Sequence, residues 1–450
     1  MSKILFIEPK SPGEHIFTKF ALPRLGVFIL GTLMTQRGWD AEICLEEMQP
    51  FDDAFLRGVD LVGISTITPT ADRAYEIADR IRCFDVPVIM GGPHVTFMAD
   101  EALEHADFVV RGEGERSLMS FIDAWEGNRD FSSVPGLSYK KRKKTIHNPR
   151  GAFVTNLDSL PLCDFSLSPA PLKVLPVQTS RGCPYDCSFC SVTGMFGRSF
   201  RFRSTEHVLS ELRRYRNLNK MIFFYDDHFG ASPTRAKQLL RAMIAEGLTF
   251  KFSTQVRIET GFDTEMLALL KQAGCHTLFI GFESVNPESL KEMKKKQTLE
   301  GIITAIENIH EYGINIHGMF VHGFDSDTRQ TAQETVRFAK QMNLTSAQFL
   351  ILTPFPGSEL RRTMEDRIVS NDWSMYDTHH VVYRPLHFTM LGLQKAQIES
   401  HSSFYSLYQM VKKFFMRRFL AVGIALYARL TNRRWKKANR SYMRMITLAS

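Results

Sequence analysis

Short apolar runs and amphipathic stretches alternate along the first 128 residues. Positions 4–7, 41–45, 61–65, 86–90 and 108–111 read as buried strands, and 22–37, 71–82 and 115–126 repeat apolar residues at helical spacing. This alternation predicts a parallel sheet covered on both faces, a doubly wound α/β domain over residues 1–128. It lapses over 129–172, where Pro135-Gly136 and the basic run 140–144 predict a hairpin and prolines 149, 161, 169 and 171 a linker. It resumes over 173–364 with strands expected at 174–179, 221–225, 250–254, 277–282, 314–321 and 345–352, a count that suits a partial (β/α)6 barrel. Residues 365–450 read as a helical extension: a C-terminal cap and basic amphipathic helices.

Ligands of such folds gather beyond the C-terminal ends of the strands. In the first domain those ends carry the loops Ser65-Thr66-Ile67-Thr68-Pro69-Thr70, Gly91-Gly92-Pro93-His94 and Arg111-Gly112-Glu113-Gly114-Glu115. Any one of them is explained as a turn or helix cap. Three on one edge make a binding surface. In the barrel the corresponding ends hold Asp227, Gln255, Arg257 and Glu283. An internal Arg257–Glu283 ion pair is the plain alternative to ligand contact. His228, His317 and His322 also fall at strand ends, either as acid/base groups or as hydrogen-bonded structural histidines.

Composition bounds the class. With 450 residues, 44% hydrophobic and 23% charged, the chain can bury two ordinary cores and a smaller element. No basic leader and no run of ~18 apolar residues is visible, so a soluble protein of a reducing cytoplasm is expected. The net charge of +8 is local, because residues 411–450 carry eleven Lys or Arg and no acid, leaving the rest net acidic. That tail reads either as a helical cap with a solvated positive face or as a peripheral contact with the inner face of an anionic membrane. Without a base-reading motif, no nucleic acid is expected.

The most specific signal is Arg181-Gly-Cys183-Pro-Tyr-Asp-Cys187-Ser-Phe189-Cys190. Three thiolates at C-x3-C-x2-C leave one corner of a cubane iron–sulfur cluster open, whereas such a cluster normally takes four. A zinc knot would need a fourth ligand such as His207. Cys44, Cys83, Cys163 and Cys275 are scattered and read as small buried hydrophobes.

This spacing, with an aromatic residue before the third cysteine, resembles the signature of the radical S-adenosylmethionine superfamily. The resemblance implies a [4Fe-4S] cluster on Cys183, Cys187 and Cys190 that cleaves S-adenosyl-L-methionine to a 5′-deoxyadenosyl radical. Phe189, Asp227, Gln255, Arg257 and Glu283, the last in Phe279-Ile-Gly-Phe-Glu283-Ser284, would contact that cofactor. The first-domain loops resemble the cobalamin-binding domain of one large subgroup. By that likeness Ser65, Thr66, Thr68, Gly91, Gly92, His94, Gly112, Glu113 and Gly114 would bind cobalamin, unless the domain is a relic. An Asp-x-His-x-x-Gly sequence is absent from it, so His94 is not expected to ligate cobalt; the nearest string, Asp226-Asp-His228-Phe-Gly230, has other spacing. The resemblance implies an enzyme acting on an unactivated carbon, with methyl transfer the expected reaction and a cyclase or oxidoreductase the alternative. A non-catalytic corrinoid or redox sensor is the reading from another class. The substrate would be a small molecule, a lipid or tetrapyrrole, and the one-electron donor a flavodoxin or ferredoxin; no catalytic residue is assigned.

Overall fold

The computed structural model describes residues 1–13 and 22–448. Strand β1 (Lys3–Glu8) has four successive buried residues, as expected of a strand covered on both faces. Ile4 and Phe6 enter one core with helices α1 (Leu25–Gln36) and α3 (Gly114–Glu126). Leu5 and Ile7 enter the other with α2 (Ala71–Arg82). Around β1 the sheet runs in the order β2 (Asp40–Leu45), β1, β3 (Leu61–Ser65), β4 (Val88–Gly91), β5 (Phe108–Val110), all parallel. Connections leave β1 in opposite directions, so a switch point lies between β1 and β3.

The hairpin of β6 (Leu137–Lys141) and β7 (Lys144–His147) turns through Arg142 and Lys143, whose φ of 49° and 64° suit a two-residue turn. It does not stand apart as a connector: β6 pairs antiparallel with β5 and extends the first sheet to seven strands.

The second sheet starts at β8 (Val174–Val177). Two short strands, β9 (Ser180–Arg181) and β10 (Arg201–Phe202), then pair antiparallel across the base of the cysteine loop. The remaining strands, β11 (Met221–Phe224), β12 (Phe252–Val256), β13 (Cys275–Glu283), β14 (Asn315–His322) and β15 (Ser346–Ile351), follow β8 in sequential order, all parallel. With β8 and β15 at its two edges, the sheet is an open barrel. Helices α4 (Thr205–Tyr215), α5 (Pro233–Ala245), α6 (Thr264–Gln272), α7 (Leu299–Glu311) and α8 (Arg329–Gln341) connect its strands. The core containing α1 runs on into this barrel, so the two sheets share buried side chains.

After β15 the chain returns to the first domain. Trp373 Nε1 donates to Glu101 at 2.7 Å and the Ser374 amide to Asp72 at 2.9 Å. Helix α9 (Met390–Phe404) then packs on α8 and β15, followed by α10 (Leu407–Phe415), α11 (Phe419–Ala438) and α12 (Arg440–Leu448). Among the described residues no helix is long and apolar enough to cross a membrane.

Candidate functional site

A cavity of ≈ 320 Å³ opens where the switch point of the first sheet faces the barrel mouth. Ser65, Gly91, Gly92, Gly112, Glu113 and Gly114 line it from the first domain. Gln178, Arg181, Tyr225 and Asp227 line it from the barrel. The glycines have distinct duties. A Cβ on Gly92, at φ 104°, would lie 2.5 Å from the Thr66 carbonyl oxygen, so this turn requires glycine. A Cβ on Gly91 or Gly112 would meet nothing within 4 Å and would project into open space, so bare backbone is offered to whatever occupies the cavity. A broad flat ring such as a corrin fits that cradle.

Thr66, Thr68 and His94 lie behind it. His94 is fully buried, with Nε2 3.1 Å from the Tyr75 hydroxyl, Nδ1 3.4 Å from Thr68 Oγ1, and its ring edge-on to Trp373. The sequence grouped these three with the loops because they are adjacent to them in the chain; the turn at 68–70 carries Thr68 inward, the short helix at 93–97 carries His94 inward, and Thr66 is fully buried between them. Glu113 reaches the cavity wall, but its carboxylate is engaged. It accepts from Arg201 at 2.7 and 2.9 Å, from Arg181 at 3.2 Å and from the Val154 amide at 2.7 Å. Arg181 also pairs with Glu115 at 2.6 Å, and this arginine holds Glu115 below the usual carboxylate range despite burial. A buried ionic clamp therefore fastens the third first-domain loop to the strands flanking the cysteines.

Cys183, Cys187 and Cys190 are half-buried free thiols on that loop. The Cys190 amide donates to the Cys187 carbonyl at 3.1 Å, and the Leu360 amide donates to Ser188 O at 2.8 Å. Gly182, at φ 89°, is pressed against the Ser199 carbonyl, leaving no room for a side chain. Burial raises all three thiols, Cys190 to about 12, while Lys295 and Arg257 act in the opposite sense at Cys187. Such thiols ionise on binding a soft cation. His207 offers no fourth zinc ligand: its Nδ1 accepts from Arg203 at 3.0 Å and lies 3.2 Å from Asp158. Among the described residues no group of three or more His, Cys, Asp or Glu is arranged to hold a single metal ion, and three thiols spread over one loop suit a polynuclear iron–sulfur cluster. Of the other cysteines, Cys44, Cys163 and Cys275 are buried, but Cys83 is exposed because it follows α2 on its solvent side.

Around this loop the barrel strands present polar groups. The Arg257 guanidinium lies 3.7 Å over the Tyr185 ring and pairs with Glu259 at 3.1 Å. Glu283 pairs with Lys295 at 2.5 Å, and Lys295 also donates to Gly281 O at 2.6 Å. The two candidates thus do not pair with each other. Glu283 sits at φ 63°, a strained conformation for a non-glycine residue, where the β13–β14 register shifts. Phe189 meets Phe324 edge to face at 6.2 Å, and Gln255 is half-buried at the end of β12. The paired aspartates divide their work. Asp226 accepts from the Thr179 and Ser180 amides and shapes the turn before the cysteines. Asp227 faces the cavity, and burial, with Asp226 beside it, pushes its carboxyl up to about 7.

The strand-end histidines are interior groups. His317 lies 2.8 Å from Ser346 Oγ and His322 3.1 Å from Ser400 Oγ, and burial lowers both to about 4. His228 is lowered to about 4 in the same way, but its Nδ1 has no hydrogen-bond partner among the described residues. Sequence reasoning missed Lys295, Tyr185, Arg181 and Arg201. Lys295 hides in the run Lys294-Lys295-Lys296, which reads as solvated charge.

The family model of the Radical SAM superfamily matches residues 177–339, and that of the B12 binding domain matches residues 18–122. An uncharacterized methyltransferase of Pyrococcus horikoshii is 34% identical over 77% of this chain and 78% of its own length. Bacteriochlorophyllide d C-12(1)-methyltransferase of Chlorobaculum tepidum is 31% identical over 85% and 83%. Among solved structures, the fold matches the radical S-adenosylmethionine methyltransferase TsrM from Kitasatospora setae, with cobalamin and a [4Fe-4S] cluster bound, at TM-score 0.70. The identity there is 20%, over 81% of this chain and 78% of that one.

Proposed function

Because the chain belongs to the cobalamin-dependent family of radical S-adenosylmethionine enzymes, we propose that it methylates an unactivated carbon of a hydrophobic small molecule, a lipid or a tetrapyrrole. When bound, the cluster supplies the electron that cleaves S-adenosyl-L-methionine, and cobalamin supplies the transferable methyl group. Cys183, Cys187 and Cys190 hold the iron. Arg257, braced by Tyr185 and Glu259, meets the cofactor carboxylate, and Glu283, held by Lys295, meets its ribose or amino group. Gln255 adds a polar contact and Phe189 excludes water. Gly91, Gly92 and Gly112 give the corrin its bed, with Ser65 and Gly114 at the rim.

The observation that carries this reading is one chamber with two walls: the glycine loops of the first domain and Gln178, Arg181 and Asp227 of the barrel. The first-domain wall would hold cobalamin, and Asp227 on the barrel wall would face it from the side on which S-adenosyl-L-methionine would bind. The methyltransferase names of the relatives support methyl transfer over cyclisation, and the chlorophyll-pigment relative supports a tetrapyrrole. The enzyme would work in a reducing cytoplasm, at the inner face of the membrane, and take single electrons from a flavodoxin or ferredoxin.

Anaerobic reconstitution with iron, sulfide and cobalamin, then dithionite, S-adenosyl-L-methionine and a tetrapyrrole or lipid acceptor, tests it. Formation of 5′-deoxyadenosine that is lost in Cys187→Ala is expected, and S-adenosylhomocysteine should accumulate beside it with a methylated product. Deoxyadenosine without S-adenosylhomocysteine would replace the methylase with a cyclase or oxidase. An intact cluster that forms no deoxyadenosine would point to a sensor.

A further inference from the structure

Helix α10 is inverted relative to the helices of a water-soluble domain. Its one buried side chain is a lysine: Lys413 is 4% exposed and donates from Nζ to the carbonyls of Leu344 and Thr345 at 3.1 and 3.3 Å. Leu407, Tyr408, Val411, Phe414 and Phe415 are exposed, from 54% to 79%. Their spacing of i, i+1, i+4, i+7 and i+8 places them on one face. The same surface continues along α11. There Ala421, Ala425, Ala428 and Trp435 are buried, while Phe419, Leu426 and Leu430 are exposed in a stripe that passes into Arg433 and Lys437. An apolar patch of this size, bordered by charge of one sign, marks a docking surface.

We infer that α10 and the first half of α11 form a monotopic anchor, which seats its aromatic and aliphatic face in the headgroup layer of an anionic bilayer. Charge selects the occupant. No acidic residue follows Glu399, and Lys412, Arg417, Arg433, Arg434, Lys436 and Lys437 are all exposed. A second copy of this chain would bring two such cationic surfaces together with no acid to offset them. An anionic leaflet supplies the opposite sign, and long cationic side chains reach its headgroups while the apolar face sinks below them.

The anchor and the cofactor chamber lie at opposite ends of the barrel strands. Lys413, and Arg418 through Asn343 O at 2.8 Å, tie it to the loop that enters β15, at the N-terminal end of the barrel. The cofactor chamber lies at the C-terminal end. Six residues of β15 at ~3.3 Å each put about 20 Å between the two ends along the strand direction. This inference rests on the membrane location proposed above, not on the reaction.

Flotation of the full-length reconstituted enzyme with phosphatidylcholine vesicles, with and without phosphatidylglycerol, tests it. Binding to the anionic vesicles that weakens with salt is expected. Val411→Ser with Phe415→Ser should reduce that binding about tenfold or more, with unchanged circular dichroism and deoxyadenosine formation. No binding to anionic vesicles at low salt, binding unaffected by the substitutions, or a lipid-free dimer in ultracentrifugation that the substitutions dissociate would each overturn it. Loss of deoxyadenosine formation with vesicle binding intact would strike only the proposed reaction.

Discussion

Removing the Glu113 carboxylate should loosen the first domain from the barrel. Its side chain is 4% exposed, and those of Arg181 and Arg201 are 5% and 9% exposed. Two charge pairs near 3 Å attract by several kcal/mol each at an effective dielectric of about 20, and most of that is offset by desolvating the ions. The deletion of one partner is not offset, because it leaves the others buried; such losses run at ~3–5 kcal/mol. Here Arg181 keeps Glu115, and Arg201 keeps the Val154 and Phe196 carbonyls at 2.9 and 3.0 Å. The lower end, about 3 kcal/mol, is therefore expected for Glu113→Ala. The assay is urea unfolding of the metal-free protein followed by tryptophan fluorescence, with Trp39 and Trp125 in the first domain and Trp373 where the returning chain meets it. Because one core runs from α1 into the barrel, the variant should unfold in a single transition shifted to lower urea. A loss below ~1 kcal/mol, or strict additivity with Arg201→Ala, would refute the clamp. If Glu113 instead served the corrinoid directly, the variant would lose cobalamin affinity and keep its stability.

Neighbouring glycines should behave oppositely. Gly91→Ala, which points a methyl group into open space, should keep stability within ~0.5 kcal/mol yet weaken cobalamin binding in an absorbance titration; Gly92→Ala, held against the Thr66 carbonyl at positive φ, should destabilise by more than ~1 kcal/mol. Asp227 is raised to about 7, so its ionised form is disfavoured in the folded apoprotein and stability falls as pH rises from about 4 through 7. Asp227→Asn should show no gain near pH 4 and a gain approaching roughly 4 kcal/mol above pH 7, the equivalent of that shift; a pH-independent difference in urea midpoint would contradict the assignment. Lys295→Met leaves the Glu283 carboxylate buried without its cation and should destabilise by about 3 kcal/mol or more. It should also weaken S-adenosyl-L-methionine binding by calorimetry while the cluster absorbance survives; unchanged affinity would separate Glu283 from the cofactor.

The sequence by itself determined the elements and their order. Short apolar runs and helical spacing are local properties, so both parallel sheets, the loops at their C-terminal ends and the three cluster cysteines were legible from short windows. Their chemistry was legible for the same reason, since C-x3-C-x2-C lies within one loop. Partnerships across long chain separations were not. Glu113 with Arg201, Glu283 with Lys295, and His94 with Tyr75 are decided by which elements pack together, and a polar residue reads alike in sequence whether it faces a cavity or a buried cation. The tertiary structure alone decided that Thr68 and His94 turn inward, that the 137–147 hairpin completes the first sheet, and that α10 buries its lysine and exposes its phenylalanines. The first depends on the Tyr75 hydroxyl brought against His94, and the other two on where an open strand edge or a backbone carbonyl is left unsatisfied; all three follow from docking the elements rather than from composition.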